Sequence, residues 1–389
     1  MGLKITLPDD DGARQEYALR GEPLAVVKRP PAKSRIALSA AHVVSRPDSA
    51  VHPSEGGAID WEATMAFRRH LLEQGLGVAE AMDTAQRGMG LSYDGARELI
   101  ERTCAEFGPK PPAPIFAGCG TDHLAAGSAQ NVDDVIDAYL LQAEQLQRAG
   151  ARLILMASAE LARVAQGPED YAKAYAAALA ACEQPVILHW LGDMFDPRLA
   201  GYWGAAGLDA AAASCLEIIA AHAAKVDGIK ISLLDKQREI DFRRRLPDGV
   251  RLYTGDDFNY PELIAGDGER HSDALLGIFD PIAPAAAAAL AALDDGDEQE
   301  FRRLLDPTVA LSRLMFEKPT WHYKAGVVFL AWLNGHQRGY AMLGGVEGMR
   351  SLRHLAGLFR LADGCGLLAD PELAVRRMKL LLETRGFGA

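Results

Sequence analysis

Lys230 is the one charged residue in the apolar run 228–234 (GIKISLL). Burial penalises an ammonium group more than a neutral amine, and a neutral lysine is a nucleophile that condenses with a carbonyl to a Schiff base. The same position also suits a lysine paired with a carboxylate, or one that snorkels out from a strand edge. His189 stands near the end of a second apolar run (PVILHW), and His123 follows a third (PIFAGCGTDH). Imidazole titrates near neutrality, so either can carry protons as a general acid or base, or be hydrogen-bonded structurally at a strand end. Two histidines with Glu160 also form a donor set for a divalent ion, although the chain has no HxH or HExxH pairing. Arg87 is a candidate for a bidentate contact with a carboxylate or phosphate. For Arg87 and Glu160 the alternative is a solvated loop charge. Asp256 and Asp257 are either site carboxylates or caps of the turn into NYPEL.

Residues so scattered need elements that bring them together. Short apolar runs bounded by Gly, Pro or charge recur at 35–44, 77–84, 114–118, 152–158, 185–190, 228–232, 250–255 and 273–280. Runs apolar on both faces are the mark of buried parallel strands. Between them lie helical patterns at 60–74, 92–107, 131–149, 168–182 and 208–226, several opening on a capping residue (Asp60, Ser92, Asn131). Eight strands alternating with helices predict an α/β fold, a (β/α)8 TIM barrel. A doubly wound sheet is the second choice and wants a Gly-rich phosphate loop after its first strand, which AAHVVSRP is not. The expected organisation is a leader at 1–33 with a hairpin around DDDG, the barrel at 34–296, and a helical extension at 297–389. In a barrel the chemistry sits at the C-terminal ends of the strands, where His123, Glu160, His189, Lys230 and Asp256 are expected to converge.

Composition narrows the function classes. The 389 residues are 49% hydrophobic and 24% charged, enough to bury a large core and far from a disordered chain. A net charge of −12 argues against a nucleic-acid partner, which requires a basic face. Five scattered cysteines without a CxxC pair argue against a disulfide framework and for a reducing cytoplasm. No stretch of about 18 apolar residues predicts a membrane span, and the start, MGLKITLPDDDG, lacks a secretory apolar region.

Three segments carry a family likeness. GIKIS resembles the GIKE/GIKD strand of the dihydrodipicolinate synthase/N-acetylneuraminate lyase family. AGCGTDHLAAGS resembles that family's third-strand AGTG…T segment, and YTGDD its seventh-strand SGDD. They occur in family order from about Arg35 onward. The resemblance implies a class I aldolase-like barrel in which Lys230 forms an imine with a small-molecule carbonyl substrate, and a homodimer or homotetramer. Against the family pattern, the second-strand GTTGE loop reads DTAQRG here, with only Thr84 retained. The tyrosine after the fourth strand is missing from LMASAELARVAQ, and His189-Trp190 replaces the fifth-strand Tyr-Asn.

The reading that follows is a Schiff-base lyase, aldolase or dehydratase, acting on a carbohydrate-derived 2-oxo acid or ketone rather than in lysine biosynthesis. Lys230 is its nucleophile, and His189 and His123 its proton carriers. Thr84, Arg87, Thr121, Glu160 and Asp256 are its substrate contacts. No cofactor or metal is called for. Two other readings remain: a metal-dependent aldolase, isomerase or hydrolase on His and Glu ligands, and an inactive ligand-binding barrel. The aromatic segment 316–337 reads as a core helix, with His322, Tyr323, Lys324 and His336 as further candidates to reach substrate.

Overall fold

The computed structural model describes residues 2–9 and 11–387. The leader forms a hairpin, β1 (Lys4–Pro8) antiparallel to β2 (Arg14–Ala18), with Lys4 opposite Ala18. Asp10, in the expected turn, lies outside the described residues. Eight parallel strands then close a barrel: β3 (Ala37–Ala40), β4 (Gly77–Glu80), β5 (Ile115–Cys119), β6 (Arg152–Leu155), β7 (Val186–Leu191), β8 (Val226–Ser232), β9 (Arg251–Thr254) and β10 (Asp273–Leu276). Neighbours in sequence are neighbours in the barrel, and β10 pairs with β3 to close it. The (β/α)8 expectation is met.

Helices α1 (Trp61–Glu73), α2 (Tyr93–Phe107) and α3 (Val132–Arg148) start where the capping residues place them. Asp60, Ser92 and Asn131 each accept a backbone N–H of the first turn, and Asn131 with Asp134 completes a capping box. They are followed by α4 (Ala159–Val164), α5 (Pro168–Ala181), α6 (Leu208–Ala221), α7 (Lys236–Arg245), α8 (Tyr260–Ala265) and α9 (Ala283–Asp294). The α6 pattern was expected to run to 226. Instead a short 3-10 turn follows it, and Val226 already belongs to β8.

Period-two alternation along the strands sorts side chains into two layers. Leu38, Ala79, Phe116, Ile154, Ile187, Tyr253 and Leu275 fill the barrel lumen. Leu188, Trp190, Ile229 and Ile231 pack outward against the helices. Lys230, between two outward isoleucines, and His189, two residues after Ile187, therefore face inward.

The extension comprises α10 (Glu298–Leu305), α11 (Thr308–Met315), α12 (Tyr323–Leu333), α13 (Leu352–Gly364) and α14 (Pro371–Thr384). The terminal helical stretch divides into α13 and α14 because Gly366 adopts φ +68° and Pro371 opens a new first turn. Every residue of α12 is buried, which is why its sequence is, Lys324 apart, apolar on all faces. The extension is tied to the barrel by Gln86, whose side-chain amide gives a hydrogen bond to Leu343 O (2.8 Å) and accepts one from Leu343 N (3.0 Å). The hairpin is held to α13 by Asp363, which accepts from Tyr17 Oη (2.6 Å) and Arg20 N (2.9 Å). No helix among the described residues is long and apolar enough to cross a membrane.

Candidate active site

Lys230 and His189 are direct partners in the β7–β8 register, side by side in the lumen. Lys230 is buried, and among the described residues its Nζ has no hydrogen-bond or ion-pair partner. Lost hydration holds its pKa below the ordinary lysine value, while the carboxylates of Asp83 and Asp257 pull it back up. The backbone after β9 passes close above it. A Cβ at Gly255 would come within 2.8 Å of Lys230 Cε and 2.2 Å of Ser232 Oγ, so this position requires glycine.

His189 is fully buried. Its Nε2 is 3.4 Å from Ser232 Oγ, and its Nδ1 has no partner among the described residues. Burial first, then the neighbouring Lys230, hold its pKa well below 6.5. Burial thus favours the uncharged ring, and Nδ1 is left without a partner in the lumen.

The two acids after β9 divide their work. Asp256 accepts from Phe258 N (2.8 Å), Asn259 N (3.0 Å) and Asn259 Nδ2 (2.7 Å), so its carboxylate is spent on the turn into α8. Asp257 accepts from Ile278 N (3.0 Å) and faces Lys230; burial raises its pKa to about 7, against the pull of the lysine. Of the pair, it is Asp257 that belongs to the lumen.

Thr84, after β4, meets a residue of the extension: its Oγ1 is 2.8 Å from Tyr323 Oη. Phe316 stacks on the Tyr323 ring, with centroids 4.3 Å apart. Tyr323 is buried, and burial together with the charge of Asp83 lifts its pKa well above 10. Beside it, Lys324 donates to Trp321 O (3.3 Å), buried between the charges of Asp83 and Asp196. Sequence placed Tyr323 and Lys324 only among side candidates; the aromatic cluster around them was the available signal.

A cavity of about 210 Å³ opens over the β4–β7 side of the mouth, and Asp83, Thr121, Ser158, Glu160 and His189 contribute to its wall. Thr121 Oγ1 and Ser158 Oγ are 2.6 Å apart on that wall. Arg87 reaches the cavity too, but all five of its N–H groups are engaged. They bond Asp122 (2.8 and 2.7 Å), Gln142 Oε1 (2.9 Å), Ala81 O (3.3 Å) and Gly118 O. Glu160 is likewise held, by Gly127 N (2.7 Å), Ala129 N (3.1 Å) and Arg163 (2.6 Å). His123 does not join His189. Its Nδ1 lies 2.9 Å from Gln142 Nε2, and its ring packs near Tyr93. The metal set foreseen from His123, His189 and Glu160 thus does not assemble, and no cluster of three or more such donors with metal-binding geometry occurs among the described residues.

A larger recess of about 350 Å³ lies outside the barrel between α2 and the proline-rich segment 109–114. Two of its polar groups, Thr103 and Glu80, are bonded to each other (2.8 Å). Glu80, at the end of β4, is also held by Arg68 (2.9 and 2.8 Å), so this carboxylate is committed to structure.

The profile of a family described as "Protein of unknown function (DUF993)" matches residues 5–387. No curated protein matches the chain by sequence. Among solved structures, the dihydrodipicolinate synthase of Oceanobacillus iheyensis is 16% identical, with 79% of this chain and 89% of that one covered and a TM-score of 0.58. The 4-hydroxy-tetrahydrodipicolinate synthase of Methylacidiphilum fumariolicum SolV is also 16% identical, over 91% and 99%, with a TM-score of 0.63. The chloride-inhibited dihydrodipicolinate synthase of Acinetobacter baumannii, complexed with pyruvate, is 17% identical over 86% and 100%, with a TM-score of 0.63. At these identities the likeness is one of fold.

Proposed function

From the premise that the chain belongs to the DUF993 family, we propose that it is a Schiff-base lyase, an aldolase or dehydratase, acting on a carbohydrate-derived 2-oxo acid or ketone. One observation carries the reading: an unpartnered lysine, buried in a barrel lumen beside a neutral histidine. The amine of Lys230 attacks the carbonyl carbon, a C–N bond forms, and the carbonyl oxygen leaves as water. The protonated imine then draws electrons from an adjacent bond: either a C–C bond breaks, or a C–H bond gives up its proton and the enamine so formed expels a neighbouring hydroxyl as water. His189 takes and returns the proton through Nδ1, and the Thr84–Tyr323 hydroxyl pair offers a second proton path. Asp257 stands by the amine. Arg87, Glu160, His123 and Asp256 brace the walls and turns around the mouth.

The likeness in fold to dihydrodipicolinate synthases, one of them complexed with pyruvate, supports imine chemistry on this scaffold. The reading places the imine-forming residues in 34–296, with Tyr323 of the extension reaching their edge, in a cytoplasmic homodimer or homotetramer with no nucleic-acid or membrane partner.

Cyanoborohydride reduction in the presence of a panel of ketoses and 2-oxo acids, followed by peptide mass mapping, tests it. The adduct is expected on Lys230, and Lys230→Ala abolishes both the adduct and turnover of the trapped compound. Full turnover by Lys230→Ala, or adducts on other lysines only, overturns the reading.

A further inference from the structure

The charges around the mouth do not suit an acid. Four carboxylates line the cavity, Asp83, Asp122, Glu160 and Asp196, against two guanidiniums, Arg87 and Arg198. Both guanidiniums are already paired. Arg87 grips Asp122 at 2.7 Å and Arg198 grips Asp196 at 2.7 Å, while Glu160 is answered by Arg163 at 2.6 Å. Asp83 is what remains, the lining carboxylate with no hydrogen-bond or ion-pair partner among the described residues. Lys230 is neutral when it attacks, and the positive charge of the protonated imine it then forms is already faced by Asp83 and Asp257. Lys324 is buried, bonded to Trp321 O and already set between the charges of Asp83 and Asp196, so it is not left over for a substrate carboxylate either. A 2-oxo acid would bring a further carboxylate, one bond from the reacting carbon, to a wall whose guanidiniums are already paired and which carries Asp83. The remaining polar groups of the wall are the Asp83 carboxylate, His189 Nδ1 and the Thr121–Ser158 hydroxyl pair, whose Ser158 Oγ also accepts from Leu161 N (3.1 Å); all are neutral or anionic partners suited to hydroxyls.

We infer that the carbonyl substrate is uncharged and polyhydroxylated, a hydroxy ketone or aldehyde of the sugar type, with a hydroxyl on Asp83 and others on the Thr121–Ser158 pair. The inference rests on Lys230 as the imine-forming amine for the carbonyl's position, and on the wall alone for the rest. Imine formation is balanced without a co-reactant: the amine loses its two hydrogens and the carbonyl its oxygen, leaving together as water.

Two measurements on the intact protein test it. In the first, wild type is reduced with cyanoborohydride in the presence of erythrulose or of 2-oxobutyrate at equal concentration, and the Lys230 peptide is quantified. Erythrulose is expected to trap faster by about tenfold or more, with Asp83→Asn narrowing the ratio. Trapping by 2-oxobutyrate at an equal or greater rate in wild type overturns the inference. In the second, calorimetry compares carbonyl-free stand-ins, erythritol and lactate. Binding of erythritol with no heat from lactate supports the substrate class even if neither ketone traps, in which case the imine reading fails alone. Binding of lactate, or of neither, overturns the substrate class whatever the trapping gives.

Discussion

The hydroxyls of Thr84 and Tyr323 lie 2.8 Å apart, although 239 residues separate them in the chain. This contact makes the helical extension part of the barrel mouth. Removing only the tyrosine hydroxyl, with Tyr323→Phe, leaves the stacking on Phe316 intact. The expected cost in stability is about 1 kcal/mol. If the pair moves a proton, kcat falls on the order of 100-fold with KM little changed. A thermal melt and steady-state kinetics on the compound trapped by Lys230 check both; a change in KM alone would assign Tyr323 to binding instead.

Asp257 and Lys230 oppose each other's titration. The carboxylate favours the ammonium form, so Asp257→Asn is expected to lower the lysine pKa further. The acid limb of Lys230 trapping then moves to lower pH, on the order of one unit. Stability should move as well. The folded pKa of Asp257 is about 7, above the unfolded carboxylate value, so the native state binds this proton more tightly. That stabilisation is complete below about pH 3.8 and is lost as the pH rises through 7. Asp257→Asn should therefore be more stable than wild type at pH 8 and lose that advantage at pH 4, as urea titrations at the two pH values will show.

Between α1 and the end of β4, Arg68 and Glu80 form a fully buried bidentate pair (2.9 and 2.8 Å), with Thr103 donating to the same carboxylate (2.8 Å). Glu80→Ala leaves a buried guanidinium without its counter-ion and is expected to cost about 3–5 kcal/mol. The double variant Arg68→Met with Glu80→Leu removes both charges and should recover much of that loss. Denaturant unfolding of the three proteins distinguishes a stranded charge from a lost attraction.

The barrel was legible because parallel strands buried on both faces spell continuous apolar runs, and Lys230 stood out as the lone charge in one of them. The ends of the strands were less legible. The run 77–84 reads as one strand, yet β4 stops at Glu80 because Ala81 turns to a left-handed φ of 51°. Beyond such a turn, period two no longer says where a side chain points. Arg87 and His123 therefore ended on Asp122 and Gln142 rather than in the open mouth. Tyr323 was hidden for another reason: α12 is, Lys324 apart, apolar all round, and its pattern alone says "core" without saying which residue touches the site. His189 was readable on both counts, lying within a strand whose alternation continues to its end.

A second histidine group lies between α1 and the end of α12. The rings of His70 and His336 are 4.5 Å apart, and His336 also meets Phe67 at 5.0 Å. Burial, then the neighbouring His70 and His42, depress the His336 pKa to about 3. The unfolded chain protonates near 6.5, so stability is intact above that pH and is lost as the pH falls from 6.5 toward 3. His336→Gln should flatten this acid loss by on the order of 2 kcal/mol, allowing for partial solvent access to the ring. Chemical denaturation at pH 7 and pH 4.5 measures it; an unchanged difference between the two would place the acid sensitivity elsewhere.

Arg87 separates a wall brace from a substrate contact. Its guanidinium joins the loop after β4 to Asp122, Gln142 and the carbonyls of Ala81 and Gly118. Lysine keeps the charge but cannot reproduce a planar five-donor fork, so Arg87→Lys strands several of these acceptors. The expected loss is about 2 kcal/mol, kept modest because Asp122 is partly open to solvent. Loosening this wall shifts Thr121 and the Asp83 loop together, so kcat should fall while KM for an uncharged ketone changes little. A protein with an unchanged melting temperature and a raised KM would instead mean that the guanidinium leaves Asp122 to meet the substrate, and that the acid-excluding wall argued above is open.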